Sequence, residues 1–308
     1  MSFFTEDLLA SIKLRSLAPI SQSTFSDSDL LSLASEEMRL RLTADLVSDR
    51  EDFFLDQETQ NIIAGVDHYS IPSRAVGSAI KEVLYIGPNI KRPLQRVDVE
   101  RAQFYNQADS MPTKFYFLGD EIVLLPSPVS STGTITITFP AAPSDLVLTS
   151  SCAKVTAVAN DGVSAKFTVN TDLTASLAVG QYVDLLSATA PFKLWKYRAA
   201  ITQITSTEID VALADAINPA GTIETQVGDY ICPSGFSNIP QIPIPYHPVL
   251  AQMVVVRLMA ALGDAAKLGA AKQDLAEMRS DALKLIRNRV ENSSLKITGR
   301  GQLIKAFR

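Results

Sequence analysis

Two histidines, two cysteines and one tryptophan are the side chains in this 308-residue sequence best suited to specialised chemistry. His68 stands beside Tyr69, and His247 immediately precedes Pro248. Neither shares a motif with the other or with a cysteine, so a local hydrogen bond is the expected role of each. Cys152 and Cys232 make no CxxC or Cys/His spacing, and a zinc site needs such clustered ligands. Two cysteines in a chain this long suit a reducing compartment, and free thiols are expected. The serines lie in no G-x-S-x-G elbow. Gly299-Arg300-Gly301 falls too near the end of the sequence to open a phosphate-binding helix. "FKLWKYR" sets Trp195 and Tyr197 among Lys193, Lys196 and Arg198. That is either a stacking surface for nucleic acid or sugar, or a strand with one face in a barrel and a basic outer face; the strand is expected. No catalytic residue, metal or cofactor is predicted.

The elements around these residues are more legible. Residues 5–17 read as a short helix with Leu8, Leu9, Ile12 and Leu17 apolar. Ser26 reads as the N-cap of a second helix, with Phe25 and Leu30 at the staple positions and acids in the first turn. Leu30, Ala34, Met38, Leu42 and Leu46 recur every four residues along it. "NIIAGVDHYSIPS" predicts a strand ending at Pro72, and "SRAVGSAIKEVLYI" a helical turn followed by another. "RPLQRVDVERAQFYN" fits a helix or an extended arm. In 113–139, apolar alternation around Gly119-Asp120, a stop at "LPSP" and a further "TITITF" predict a three-stranded antiparallel meander.

Between about 141 and 237, Thr, Val, Ala and Ser dominate and helical periodicity disappears. This stretch contains a duplication: 153–187 resembles 199–234. Each copy reads strand, turn, strand, longer turn, then a strand opening Val-Gly-x-Tyr-Val/Ile. Asn160-Asp161-Gly162 is a strong hairpin signal in the first copy. Two three-strand units closing on each other predict a small six-stranded barrel or sandwich. "IPQIPIP" (239–245) predicts a stiff extended linker. Beyond it, Pro248 suits the first position of a helix and Gly263-Asp264 a break. Leu268, Leu275, Met278, Ala282 and Leu285 mark the stripe of a last helix. The predicted class is α+β: a bundle of N- and C-terminal helices with a small antiparallel meander (1–140 and 238–308), plus an inserted all-β domain (141–237).

Composition narrows the partners. Net charge is −5, against a general affinity for phosphate backbones. Residues 1–60 hold twelve acids and five bases, and residues 284–308 seven bases and one acid. The start lacks a basic region followed by an apolar core, so no signal peptide is expected, and no uninterrupted apolar run suggests a membrane partner. The last residues, 293–308, space Leu295, Ile297, Leu303, Ile304 and Phe307 among Lys296, Arg300, Lys305 and Arg308. That pattern suits docking into a groove on another protein.

Pro112, Phe115, Gly119-Asp120, Ile122–Pro128, Ile135–Phe139 and Pro143 together resemble the hallmark of tailed-phage head-to-tail adaptor proteins (connectors, or head-completion proteins). "HYSIPSRAVGSAIKEVLYIG" is similar to the family's strand-and-turn element, and "HPVLAQMVVVRLMAALGD" to its closing helices. The resemblance covers roughly 1–143 and 239–308 and leaves out the duplicated insert. It implies a structural virion protein assembled in the host cytoplasm. Such a protein forms a ring, commonly of twelve copies, below the portal at the head–tail interface. Its implied partners are the portal protein, a tail protein (nozzle, tail terminator or tail tube), further copies of itself, and DNA passing without sequence-specific contact. The resemblance gives 293–308 the portal-docking role. An acidic channel wall would let DNA slide, and Asp27, Asp29, Glu36, Glu37 and Asp45 are the acids that could line it. The alternatives are a virion-associated peptidoglycan-degrading enzyme and a carbohydrate-binding tail component.

Overall fold

The structure, a computed structural model, describes residues 4–16, 25–49, 51–105, 111–189, 192, 194–217, 221–263 and 265–286. Helix α1 (Thr5–Ser16) buries Leu8, Leu9 and Ile12. Ser26 caps α2 (Asp27–Glu37) with a full capping box: its hydroxyl accepts from Asp29 N, and Asp29 Oδ2 accepts from Ser26 N. A π-helical stretch, Met38–Leu42, then leads into α3 (Thr43–Asp49). The four-residue repeat explains that wider turn. At about 3.6 residues per turn a stripe spaced by four drifts around the axis. One turn closed by an i to i−5 bond, here Thr43 N to Met38 O, brings it back. Leu30, Ala34, Met38, Leu42 and Leu46 are all buried.

They pack with α6 (His247–Leu262) and α7 (Ala265–Ile286) in one apolar core, so both ends of the chain build the bundle. Gly263 reverses the chain between α6 and α7 at φ 73°, a conformation that favours glycine. Residues 244–262 are long and apolar enough to cross a membrane by length and composition, but they form the buried centre of this bundle. Two details differ from the sequence reading. Leu285 is 62% exposed and Ile286 is the buried residue at that turn. The predicted linker at 239–245 is packed, with Ile239 and Ile242 buried.

In the chain between α3 and α6 lies a sandwich of two four-stranded sheets with its own apolar core. One has the order β1-β8-β3-β4 and the other β2-β7-β6-β5. The strands are β1 (Leu55–Asn61), β2 (His68–Ser70), β3 (Glu82–Gly87), β4 (Ile90–Pro93), β5 (Gln95–Arg96), β6 (Lys114–Leu118), β7 (Glu121–Leu125) and β8 (Thr134–Pro140), with the short helix α4 (Val99–Ala102) after β5. Tyr69, Phe115, Ile122 and Leu124 of one sheet meet Val83, Tyr85, Ile135 and Ile137 of the other. The hairpin read around Gly119-Asp120 forms as β6–β7. The third strand of the expected meander, β8, crosses to the other sheet and pairs with β1 and β3. The proline-rich "LPSP" break after β7, with a cis Leu125–Pro126 bond, separates the two. The strand expected over 61–73 is confined to β2, and the arm at 92–106 contains both readings: two short strands, then α4.

After β9 (Asp145–Leu146) comes the duplicated region. Its first copy gives β10 (Ala153–Asn160), β11 (Ser164–Val169) and β12 (Tyr182–Leu186). The second gives β13 (Leu194–Ile204), β14 (Glu208–Ala212), the short helix α5 (Leu213–Ala216) and β15 (Tyr230–Pro233), before β16 (Phe236–Ser237) pairs with β9. The six strands close a barrel in the order β10-β11-β14-β13-β12-β15. Exchanging β10 with β13, β11 with β14 and β12 with β15 maps that order onto itself. The duplication is therefore a topological two-fold. Neither copy closes alone, because each lends its third strand to the first strand of the other.

Candidate functional site

The cysteines correct the sequence reading: Cys152 and Cys232 form a disulfide, with Cα atoms 4.5 Å apart. Barrel closure is the reason. β10 and β15 pair with Ala153 opposite Ile231, so the next residues outward, 152 and 232, face each other. A linear sequence 80 residues apart gives no hint of that register. The same place in the other seam is filled by a different bond. Aligning Val183 with Ile231 and Ala199 with Ala153 sets Asp184 in place of Cys232 and Arg198 in place of Cys152. There the Asp184 carboxylate accepts from Arg198 N at 2.9 Å and from Gly235 N at 2.9 Å. Burial pushes the Asp184 pKa up, against these hydrogen bonds.

The other singled-out side chains also hold neighbouring segments. His68 Nδ1 lies 2.7 Å from Glu121 Oε2 across β2 and β7. His247 Nε2 lies 3.2 Å from Ile242 O, and burial holds its pKa down at about 4. Trp195 is half-buried against the barrel core and donates its indole N–H to Asp229 at 2.8 Å. The same carboxylate accepts from Ala188 N and Gln226 N. The face of β13 read as basic is partnered too: Lys196 lies 3.7 Å from Asp215, and Arg198 stacks on Tyr182.

Of the five acids considered for a channel wall, Asp27 pairs with Lys13. Asp29 belongs to the capping box, and its hydrogen bonds with Ser26 lower its pKa. Glu36 lies 3.6 Å from Arg257. Asp45 pairs with Arg279 of α7. Glu37 is interior, only 2% exposed, and pairs with Arg257 and Arg41. The structure thus spreads these acids over α2 and α3 and ties most of them to cations of α1, α6 and α7. The tail residues Leu295, Lys296, Ile297, Arg300, Leu303, Ile304, Lys305, Phe307 and Arg308 lie outside the described residues.

One organising residue was not singled out from the sequence. Arg74 Nε and Nη2 donate to Ala142 O, and Nη2 also to Gln241 Oε1. Its guanidinium lies 5.0 Å from the Tyr197 ring centre. It therefore clamps the two segments that lead into and out of the barrel. Burial lowers its pKa while Asp184 opposes the shift. Nothing in "SIPSRAVGS" distinguishes Arg74 from a surface arginine.

Side chains suited to chemistry are engaged here in joining one segment to another, which is how a structural interaction protein uses them. The profile of the SU10 adaptor protein family matches residues 6–169, from α1 through the sandwich into β11. The chain belongs to this family of phage head-to-tail adaptors. It is a structural phage protein, in a family structural rather than enzymatic, that works against other head or tail proteins. A comparison with curated proteins gives no match.

Proposed function

We propose that the chain forms a ring below the portal in the virion, joins head to tail and extends the DNA channel. The observation that carries this is the family match, which spans the helical start and the whole sandwich. A ring is the natural product of a heterologous contact that closes by rotation, and the family resemblance implies about twelve copies. Residues 1–140 with 238–308 would be the adaptor core, and 141–237 an inserted module. The basic segment 293–308 would dock on the portal. An acidic channel wall, if α2 and α3 face the channel, would rest on Asp27, Asp29, Glu36 and Asp45, since Glu37 is interior.

Mass by light scattering, for the chain alone and with portal rings, tests this. A jump to a ring-plus-portal mass is expected. A chain that ignores the portal at every concentration would overturn the reading. Deleting 293–308 should abolish portal attachment while leaving the helical circular dichroism intact; undiminished attachment would refute the role of the tail.

A further inference from the structure

The two lateral edges of the sandwich carry opposite charge. On one side the edge strands are β1 and β2. Asp56 and Glu58 lie on β1, Asp67 directly precedes β2, and Glu121 pairs across from Ser70 at its end. The two edges are joined there by Gln60 Nε2, which donates to Ser70 O at 2.9 Å. Among the described residues, none of these four acids lies within ion-pair distance of a lysine or arginine, although the Asp56 charge acts on the buried Arg74; Asp67 and Glu121 flank His68.

On the opposite side the edge strands are β4 and β5, where the chain passes from one sheet to the other before α4. This side carries Lys91, Arg92, Arg96, Arg101 and Lys114, with Asp98 and Glu100 the acids nearby in sequence. Among the described residues, none of the five cations makes an ion pair; Arg96 lies over the Phe117 ring and Lys114 over Tyr105.

We infer that the acidic β1/β2 edge of one copy docks on the basic β4/β5 edge of the next copy. The inference rests on the ring reading and names the surface that would build the ring. The two edges lie on opposite sides of one module, so the contact is head-to-tail and repeats in one sense, as ring closure requires. Opposite charge sets its register and excludes like edges from meeting. Unpaired edge strands are ready sites for another chain. Pro93 removes one donor from β4, so charged side chains carry the contact more than a continuous ladder does. DNA fits the basic edge less well: Arg96 and Lys114 are held on aromatic rings, and the matching acidic edge would have no use.

Charge reversal tests the inference on the full chain. D56K/E58K turns the charge carried by β1 from acidic to basic, and K91E/R92E turns that carried by β4 from basic to acidic. Each variant alone should need at least about tenfold more protein to assemble, alone or on portal rings. An equimolar mixture should restore assembly, because the reversed β1 of one variant can meet the reversed β4 of the other. Melting temperatures near the parent value confirm folding. As an independent measurement, E58C/R92C in the otherwise unaltered chain should give a ladder of cross-linked multimers under oxidation. Rings that form normally from each reversal variant, with no ladder, would overturn the docking surface and leave the ring reading standing. A parent chain that forms no ring with or without the portal would sink both. Loss of duplex-DNA binding by K91E/R92E with unaltered ring formation would assign the basic edge to DNA instead.

Discussion

Reducing the Cys152–Cys232 bond should destabilise the barrel strongly without altering its native form. The bond closes a loop with a sequence separation of 80. In the chain-entropy description, a cross-link of that span removes about 15 cal/mol/K from the unfolded chain, or about 4.5 kcal/mol at 25 °C. The native state gives little of this back, because β10–β15 pairing already holds the two residues opposite each other. The assay is denaturant unfolding of the same chain, oxidised and reduced. It is followed by fluorescence of the single tryptophan, which is half-buried against the barrel core and bonded to Asp229, so the signal reports barrel opening in particular. The reduced barrel should unfold at markedly lower denaturant, with an unchanged native spectrum. Two results would refute the reasoning. One is full alkylation of both cysteines in the folded, unreduced protein. The other is an unfolding midpoint that does not move on reduction.

Acid should weaken the helical bundle through His247. Its folded pKa is held at about 4 by burial, below the 6.5 of an exposed imidazole. The folded state therefore binds the proton less readily than the unfolded chain. The stability from keeping this ring neutral is intact above pH 6.5, is lost as pH falls toward 4, and amounts to roughly 3 kcal/mol in full. Thermal melts followed by helical circular dichroism should show this loss, and His247→Gln should flatten that part of the pH profile. The ion pair under α6 gives a second outcome. Arg257→Ala leaves the buried Glu37 with Arg41 alone; because Arg257 is itself 41% exposed, the cost should be only about 1–2 kcal/mol. The paired replacement E37L/R257M should recover most of it, as chemical denaturation would show.

Local signals in the sequence predicted most of what local structure decides. Ser26, Phe25 and the four-residue stripe set α2, though not the wider turn that follows it; Asn160-Asp161-Gly162 and Gly119-Asp120 set two hairpins; Pro248 and Gly263 bound α6. The duplication announced a six-stranded closure. What the sequence concealed is long-range register. β8 joins β3 across 48 to 56 residues and β1 across 73 to 85, and no alternation pattern states which sheet a strand will enter. The disulfide follows from the opposition of Ala153 and Ile231, which exists only once the barrel closes. Arg74 and Asp229 are single polar residues whose partners come from distant turns, so their roles become visible only when those turns meet. The charged edges were equally hidden: the acids of β1 and the cations of β4 lie some 30 residues apart, and only the sheet order sets them on opposite sides.

The 4.5 Å between the Cα atoms of residues 152 and 232 is little more than the ~3.8 Å that separates consecutive residues in any chain. In backbone terms the barrel is therefore inserted at a gap little more than one peptide wide. Replacing 153–231 by a link of one or two residues should leave the helices and the sandwich folded, at the loss of the barrel's contacts with them, Tyr197 under Arg74 and Tyr230 against Phe4 among them. A different module whose ends lie equally close could be mounted in the same socket. The surface that the barrel presents could then change by exchange of one part, while the helices and the sandwich keep their own geometry.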